Sequence, residues 1–101
     1  MYVRVFWGKL RPGTWDAYEK HYLENVVPLA NQYKGFRGRE LLRSTKNPDE
    51  GLSISFWDTL EDLKSYDGSA EREQVISGAH QYYAGEYWGK HFELRHSAMK
   101  P

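Results

Sequence analysis

Apolar and polar residues alternate along positions 2–10, with Val3, Val5 and Trp7 on one parity and Tyr2, Arg4, Phe6 and Gly8 on the other. A period of two marks a strand, and apolar groups on both parities mark a central strand covered on both sides. "RPGT" turns the chain and sets Thr14 as a helix N-cap, with Asp16 in the first turn. Trp15, Tyr18, Tyr22, Val26, Leu29 and Tyr33 then recur at steps of three and four, which is one stripe of a helix. Pro28 lies inside that stripe; it lacks a backbone donor and predicts a kink or short break. Gly35 is placed as the left-handed C-cap.

Residues 38–44, "GRELLRS", read as a second strand, polar enough for a sheet edge. A loop of turn residues, "TKNPDEG", leads to a third strand over 52–58. Ser53 and Ser55 make one parity of that strand look too polar for a core. Ile54 and Phe56 are therefore expected to face the helices, and Trp57 the opposite side. Thr59, with Asp62 three residues on, caps a helical region from about Leu60 to Tyr83. That region is interrupted near 67–69, where Ser69 caps a second piece. Residues 86–97 close as a strand with Trp88, Phe92 and Leu94 on one parity.

The order strand, helix, strand, strand, helix, strand predicts an α+β fold, the ferredoxin-like βαββαβ arrangement with a four-stranded antiparallel sheet. Right-handed crossovers place both helices on one sheet face and leave the other bare. The same face of a second copy would cover it, so a homodimer through the open sheet face is expected, a dimeric α/β barrel.

Composition sharpens this picture in three ways. A chain of 101 residues reads as a single domain spanning 1–101, yet it carries 4 Trp, 8 Tyr and 4 Phe. So much ring surface implies a pocket or an interface. Fourteen basic and fourteen acidic residues cancel, which argues against nucleic acid or an anionic membrane as partner. There is no cysteine, which excludes disulfides, thiolate catalysis and thiolate metal sites. With no apolar run near the ~20 residues that span a bilayer, and an N-terminus that reads as a strand, a cytoplasmic location is expected.

"KGFRGRELLRS", a polar loop and "LSISFWDTLEDLKSYDGS" together resemble the antibiotic biosynthesis monooxygenase family of dimeric α/β barrels. The resemblance lies in the glycine-phenylalanine turn into the second strand, the strand ending Phe56-Trp57-Asp58, and Tyr66 nine residues after Trp57. It covers roughly residues 2–96 and implies the fold and the dimer. One branch of the family comprises oxygenases acting on polycyclic phenols or quinols without metal or flavin. That branch implies a ring-lined site, a proton acceptor and a polar group for the resulting anion. The haem-degrading branch uses an asparagine on the first strand, a tryptophan in the second helical region and a histidine after it. Here residues 2–10 contain no asparagine, Tyr66 stands at the tryptophan position, and His80 comes about one turn late. Haem is thereby disfavoured, and no cofactor is expected.

The candidate site follows from the predicted packing. Trp7 and Tyr22 are expected on a shared cavity wall, with Tyr66, His80 and Tyr83 closing the other side. His80 is the candidate proton acceptor, since histidine exchanges protons near neutral pH. Tyr22 and Tyr66 would hydrogen-bond the oxyanion, while Trp7 and Tyr83 would bind the substrate. No cluster of residues at ligand spacing predicts a metal site. The sequence therefore reads as a cofactor-independent monooxygenase for an aromatic or quinol-type small molecule. The alternatives are a non-catalytic dimeric binder of a small ligand and, more weakly, a haem protein using His80.

Overall fold

A computed structural model describes residues 1–100. Strand β1 (Tyr2–Leu10) leads into helix α1 (Trp15–His21), a π-helical turn (Tyr22–Val26) and helix α2 (Val27–Ala30). Strands β2 (Phe36–Arg43) and β3 (Glu50–Trp57) follow, then helices α3 (Leu60–Asp67) and α4 (Ala70–Ala79). A 3-10 turn (His80–Tyr82) joins α4 to strand β4 (Tyr83–Glu93). The strands form one antiparallel sheet in the order β2-β3-β1-β4, the ferredoxin-like arrangement. β1 is central as its apolar pattern requires, and β2 is an edge.

Local chemistry sets most boundaries. Thr59 accepts from the Asp62 amide at 3.0 Å and Ser69 from the Arg72 amide at 3.2 Å, so both predicted caps of the second helical region form. Thr14 occupies the N-cap of α1, but its hydroxyl donates to the Arg11 carbonyl instead of capping. Ahead of Pro28 the helix widens: the Val27 amide donates to Tyr22, five residues back, and the helix continues to Ala30. The wider turn takes up the proline's steric conflict without a gap in the helix. Gly35 is not the C-cap, a position held by Asn31. It enters β2 with φ of 81°, and Asp62 occupies the space a side chain there would need. β4 starts and ends three to four residues earlier than the pattern of 86–97 suggests, because Tyr83 pairs with Leu10.

The register corrects the assignment of sheet faces. Arg4 and Ser55 are partners, as are Phe6 and Ser53, and Tyr2 and Trp57. These residues lie under the helices, where Ser53, Ser55 and Trp57 are buried. Ile54 and Phe56 pair with Val5 and Val3 on the opposite face. Trp57 is thus a core residue and does not look toward the bare side.

Two ring-rich clusters fill the layer between helices and sheet. Phe6, Leu10, Trp15, Tyr18, Tyr22, Val26, Ala79 and Tyr83 form one. Ala30, Trp57, Leu63 and Tyr66 form the other, with Trp57 packed at 5.0 Å on Tyr66 and 5.3 Å on Phe36 between ring centroids. Close packing of β3 against α1 requires Gly51, where a side chain would strike the Trp15 ring and the Leu42 carbonyl.

Candidate active site

Arg39 projects from β2 under the helices and organises a polar knot inside the ring layer. Its Nε donates to the Tyr22 hydroxyl at 2.6 Å and its Nη2 to Ser53 Oγ at 3.0 Å. A longer contact of 3.5 Å reaches the Tyr66 hydroxyl. Tyr22 and Ser53 are themselves 3.1 Å apart, and the guanidinium lies 5.0 Å from the centroid of the Tyr22 ring. Each buried hydroxyl therefore has a partner. Among the described residues no buried side-chain nitrogen or oxygen lacks one.

A cavity of about 20 Å³ adjoins this knot. Tyr22, Tyr66 and Tyr83 reach it from three different elements, and Arg4, Arg39 and Arg72 bring three guanidinium groups. Burial pushes the Tyr83 phenol up to about 12 and raises that of Tyr18 as well, with Tyr83 and Tyr22 adding to the latter. Both rings stay neutral at working pH.

Arg4 and Arg72 are held by a shared carboxylate, Asp67. Arg4 Nε meets it at 2.7 Å, Arg72 Nε at 3.3 Å and His91 Nε2 at 2.9 Å. Burial works to raise the Asp67 carboxyl, but Arg4, His91 and Arg72 outweigh it and hold it below the ordinary carboxylate range. Burial, with Arg72 close by, in turn lowers the Arg4 guanidinium from its ordinary value. One carboxylate serves two guanidinium groups.

Outside the cavity, a groove of about 460 Å³ separates α4 from β4. Arg4, Phe6, Arg72 and Ile76 line both spaces, so the groove and the cavity adjoin. Tyr87 supplies an aromatic wall, whereas Trp88 borders the groove but stacks its ring on Trp7 at the opposite sheet face. Gly89 contributes no wall, and a side chain there would press on the Arg4 guanidinium, 2.9 Å away.

The predicted site is brought together in part. Tyr22, Tyr66 and Tyr83 converge on the cavity as expected. Trp7 does not; it stands on the other sheet face, stacked on Trp88 at 6.2 Å and donating to Glu50 at 2.9 Å. Phe6, the neighbouring residue of opposite parity, takes its place. His80 does not line the cavity either. The 3-10 turn after Ala79 leaves it exposed at the groove, its ring 5.6 Å from Tyr83 and 6.0 Å from Tyr87. Sequence reasoning missed Arg4, Arg39, Arg72 and Ser53. The legible signal was Arg4, a charge set into an otherwise apolar central strand.

The antibiotic biosynthesis monooxygenase family matches residues 1–77. The chain belongs to that family. A variant of SnoaB, a cofactor-independent oxygenase from Streptomyces nogalater, superposes with a TM-score of 0.84 at 11% identity, over 98% of this chain and 97% of that one. A protein assigned to the same family from Caulobacter crescentus CB15 gives 0.82 at 16% identity, covering 94% and 90%. One from Bordetella bronchiseptica gives 0.81 at 18%, covering 92% and 95%. At such identities these structures establish the shared fold. No curated protein matches by sequence. Among the described residues no group of His, Asp or Glu could hold a metal ion, and no helix is long and apolar enough to cross a membrane.

Proposed function

We propose that this family member is a cofactor-independent monooxygenase for an aromatic or quinol-type small molecule, with its site where the groove meets the inner cavity. The observation that carries this reading is the Arg39 knot, which presents the Tyr22 and Tyr66 hydroxyls inside a ring-lined space. An electron-rich aromatic anion reacts with dioxygen by virtue of its own electrons. The protein's contribution is then stacking, exclusion of water and hydrogen bonds to the developing oxyanion. Tyr22 and Tyr66 would supply those bonds, polarised by Arg39. Tyr83 and Phe6 would hold the ring, and Tyr87 would guide it in.

The test is oxygen consumption with a panel of quinols and polycyclic phenols. Tyr22→Phe should lower kcat by about a hundredfold, the typical loss for one oxyanion donor. His80→Ala should change it little, because that imidazole stands outside the inner cavity. A silent panel would favour the non-catalytic ligand-binding alternative, whereas an undiminished rate in Tyr22→Phe would remove the knot from the mechanism.

The same reading includes a homodimer through the open sheet face. Val3, Val5, Ile54, Phe56, Trp88 and Phe92 share that face by register, and Trp88 and Phe92 are exposed in the single chain. An apolar sheet face of this extent is stable in water only when covered.

A further inference from the structure

The inner cavity carries charge that the chain leaves unbalanced. Arg4, Arg39 and Arg72 line it, and no carboxylate does. Asp67 binds Arg4 and Arg72 from one side, and Arg39 bonds only to neutral hydroxyls. Glu73 lies on the groove and does not reach the cavity lining. Three guanidinium groups set against one carboxylate leave a surplus of two positive charges around a small, ring-walled space. No imidazole or carboxylate lines the cavity to take a proton from an arriving phenol.

Resting on the reading above, we propose that this cavity is an anion site, and that its ligand is a planar aromatic bringing its own negatively charged oxygen. A ring carboxylate, or a hydroxyl acidic enough to be ionised at neutral pH, meets that description. The groove fits the rest of such a molecule. Phe6 and Tyr87 offer faces for a flat ring, while Arg4 and Arg72 stand where groove and cavity meet. A guanidinium fork accepts a carboxylate through two parallel hydrogen bonds, which fixes the ring's orientation as well as its charge. The cavity's volume of about 20 Å³ suits one oxygen-bearing group and no ring, so the aromatic body remains in the groove.

Binding can be read by titration calorimetry on the intact protein, without turnover. The probes are 1-hydroxy-2-naphthoate against 1-hydroxy-2-naphthamide, and 2-hydroxy-1,4-naphthoquinone against its O-methyl ether. In at least one pair the ionised member should bind about tenfold or more tightly; which pair shows it separates a carboxylate site from one for an acidic hydroxyl. Arg39→Gln and Arg72→Gln should each reduce the anion to about the affinity that its neutral partner shows in the same variant. Arg72→Lys, which keeps the charge on an accessible helix, should retain much of the preference. Equal binding within both pairs, or no binding by any probe, would overturn the proposal on the wild-type protein alone. A preference that survives both glutamine variants would place the site elsewhere. Anion preference without oxygen consumption leaves this inference standing and removes the monooxygenase reading; oxygen consumption from neutral quinols without anion preference does the reverse.

Discussion

Trp57 is fully enclosed, and its indole N–H donates to Ser55 Oγ at 3.0 Å. A serine two residues away on the same strand face satisfies the polar atom of the largest side chain in the core. Ser53 does the same for Tyr22 and Arg39. These serines are therefore core residues despite their polarity, because each spends its hydroxyl on a buried partner. Trp57→Ala should cost about 3–5 kcal/mol of protomer stability, the range for removing a buried aromatic ring. Ser55→Ala should cost ~1–3 kcal/mol through the orphaned indole N–H. Urea unfolding of both variants checks this. A Trp57→Ala protein with unchanged unfolding and weakened self-association would return that residue to the interface.

Asp67 works at the scale of elements. From the end of α3 it holds Arg4 of β1, Arg72 of α4 and His91 of β4. Four elements meet on one carboxylate, which also lines the groove between α4 and β4. Its pKa in the folded chain is depressed, so the folded state binds the acid proton more weakly than the unfolded chain does. The stabilisation is then fully present above the unfolded value of ~3.9 and is lost as pH falls through the lower folded value. Stability should therefore drop as pH falls below about 4, and Asp67→Asn should flatten that acid limb. At neutral pH the substitution should destabilise by about 3 kcal/mol, because it leaves two guanidinium groups without a counter-charge. Denaturant midpoints measured across this range decide it, and an acid limb of unchanged slope in the variant would exclude Asp67 as its source.

The molecule as a whole is one twisted sheet with helices on one face and an apolar surface on the other. Phe56 sits on that surface opposite Val3, on strands β3 and β1 at the middle of the sheet. Sedimentation equilibrium at micromolar concentration should give about twice the monomer mass, since a second copy presenting the same face would cover the bare side of the sheet. Phe56→Glu should shift the protein to monomer while leaving the helix-side core and the Arg39 knot intact. A wild-type monomer would end the barrel reading, and a dimeric Phe56→Glu protein would move the interface to another surface.

Periodicity in the chain was enough for the element order, the central place of β1, the edge position of β2 and two of the helix caps. Those features depend on neighbours in sequence, where spacing and capping chemistry act directly. Tyr22 and Tyr66 were legible too, because a ring on a helical stripe must turn inward; Tyr83 also reaches the cavity, but from the start of β4 and not from a helix. Which face of each strand turned inward was not legible. Both parities of β1 are apolar, and on β3 the polar parity was the buried one. The choice rests on hydrogen bonds between residues far apart in the chain, Ser53 with Tyr22 and Arg39, and Arg4 with Asp67. A serine or arginine taken alone counts as a surface residue; its burial becomes favourable only when folding delivers the partner that replaces water.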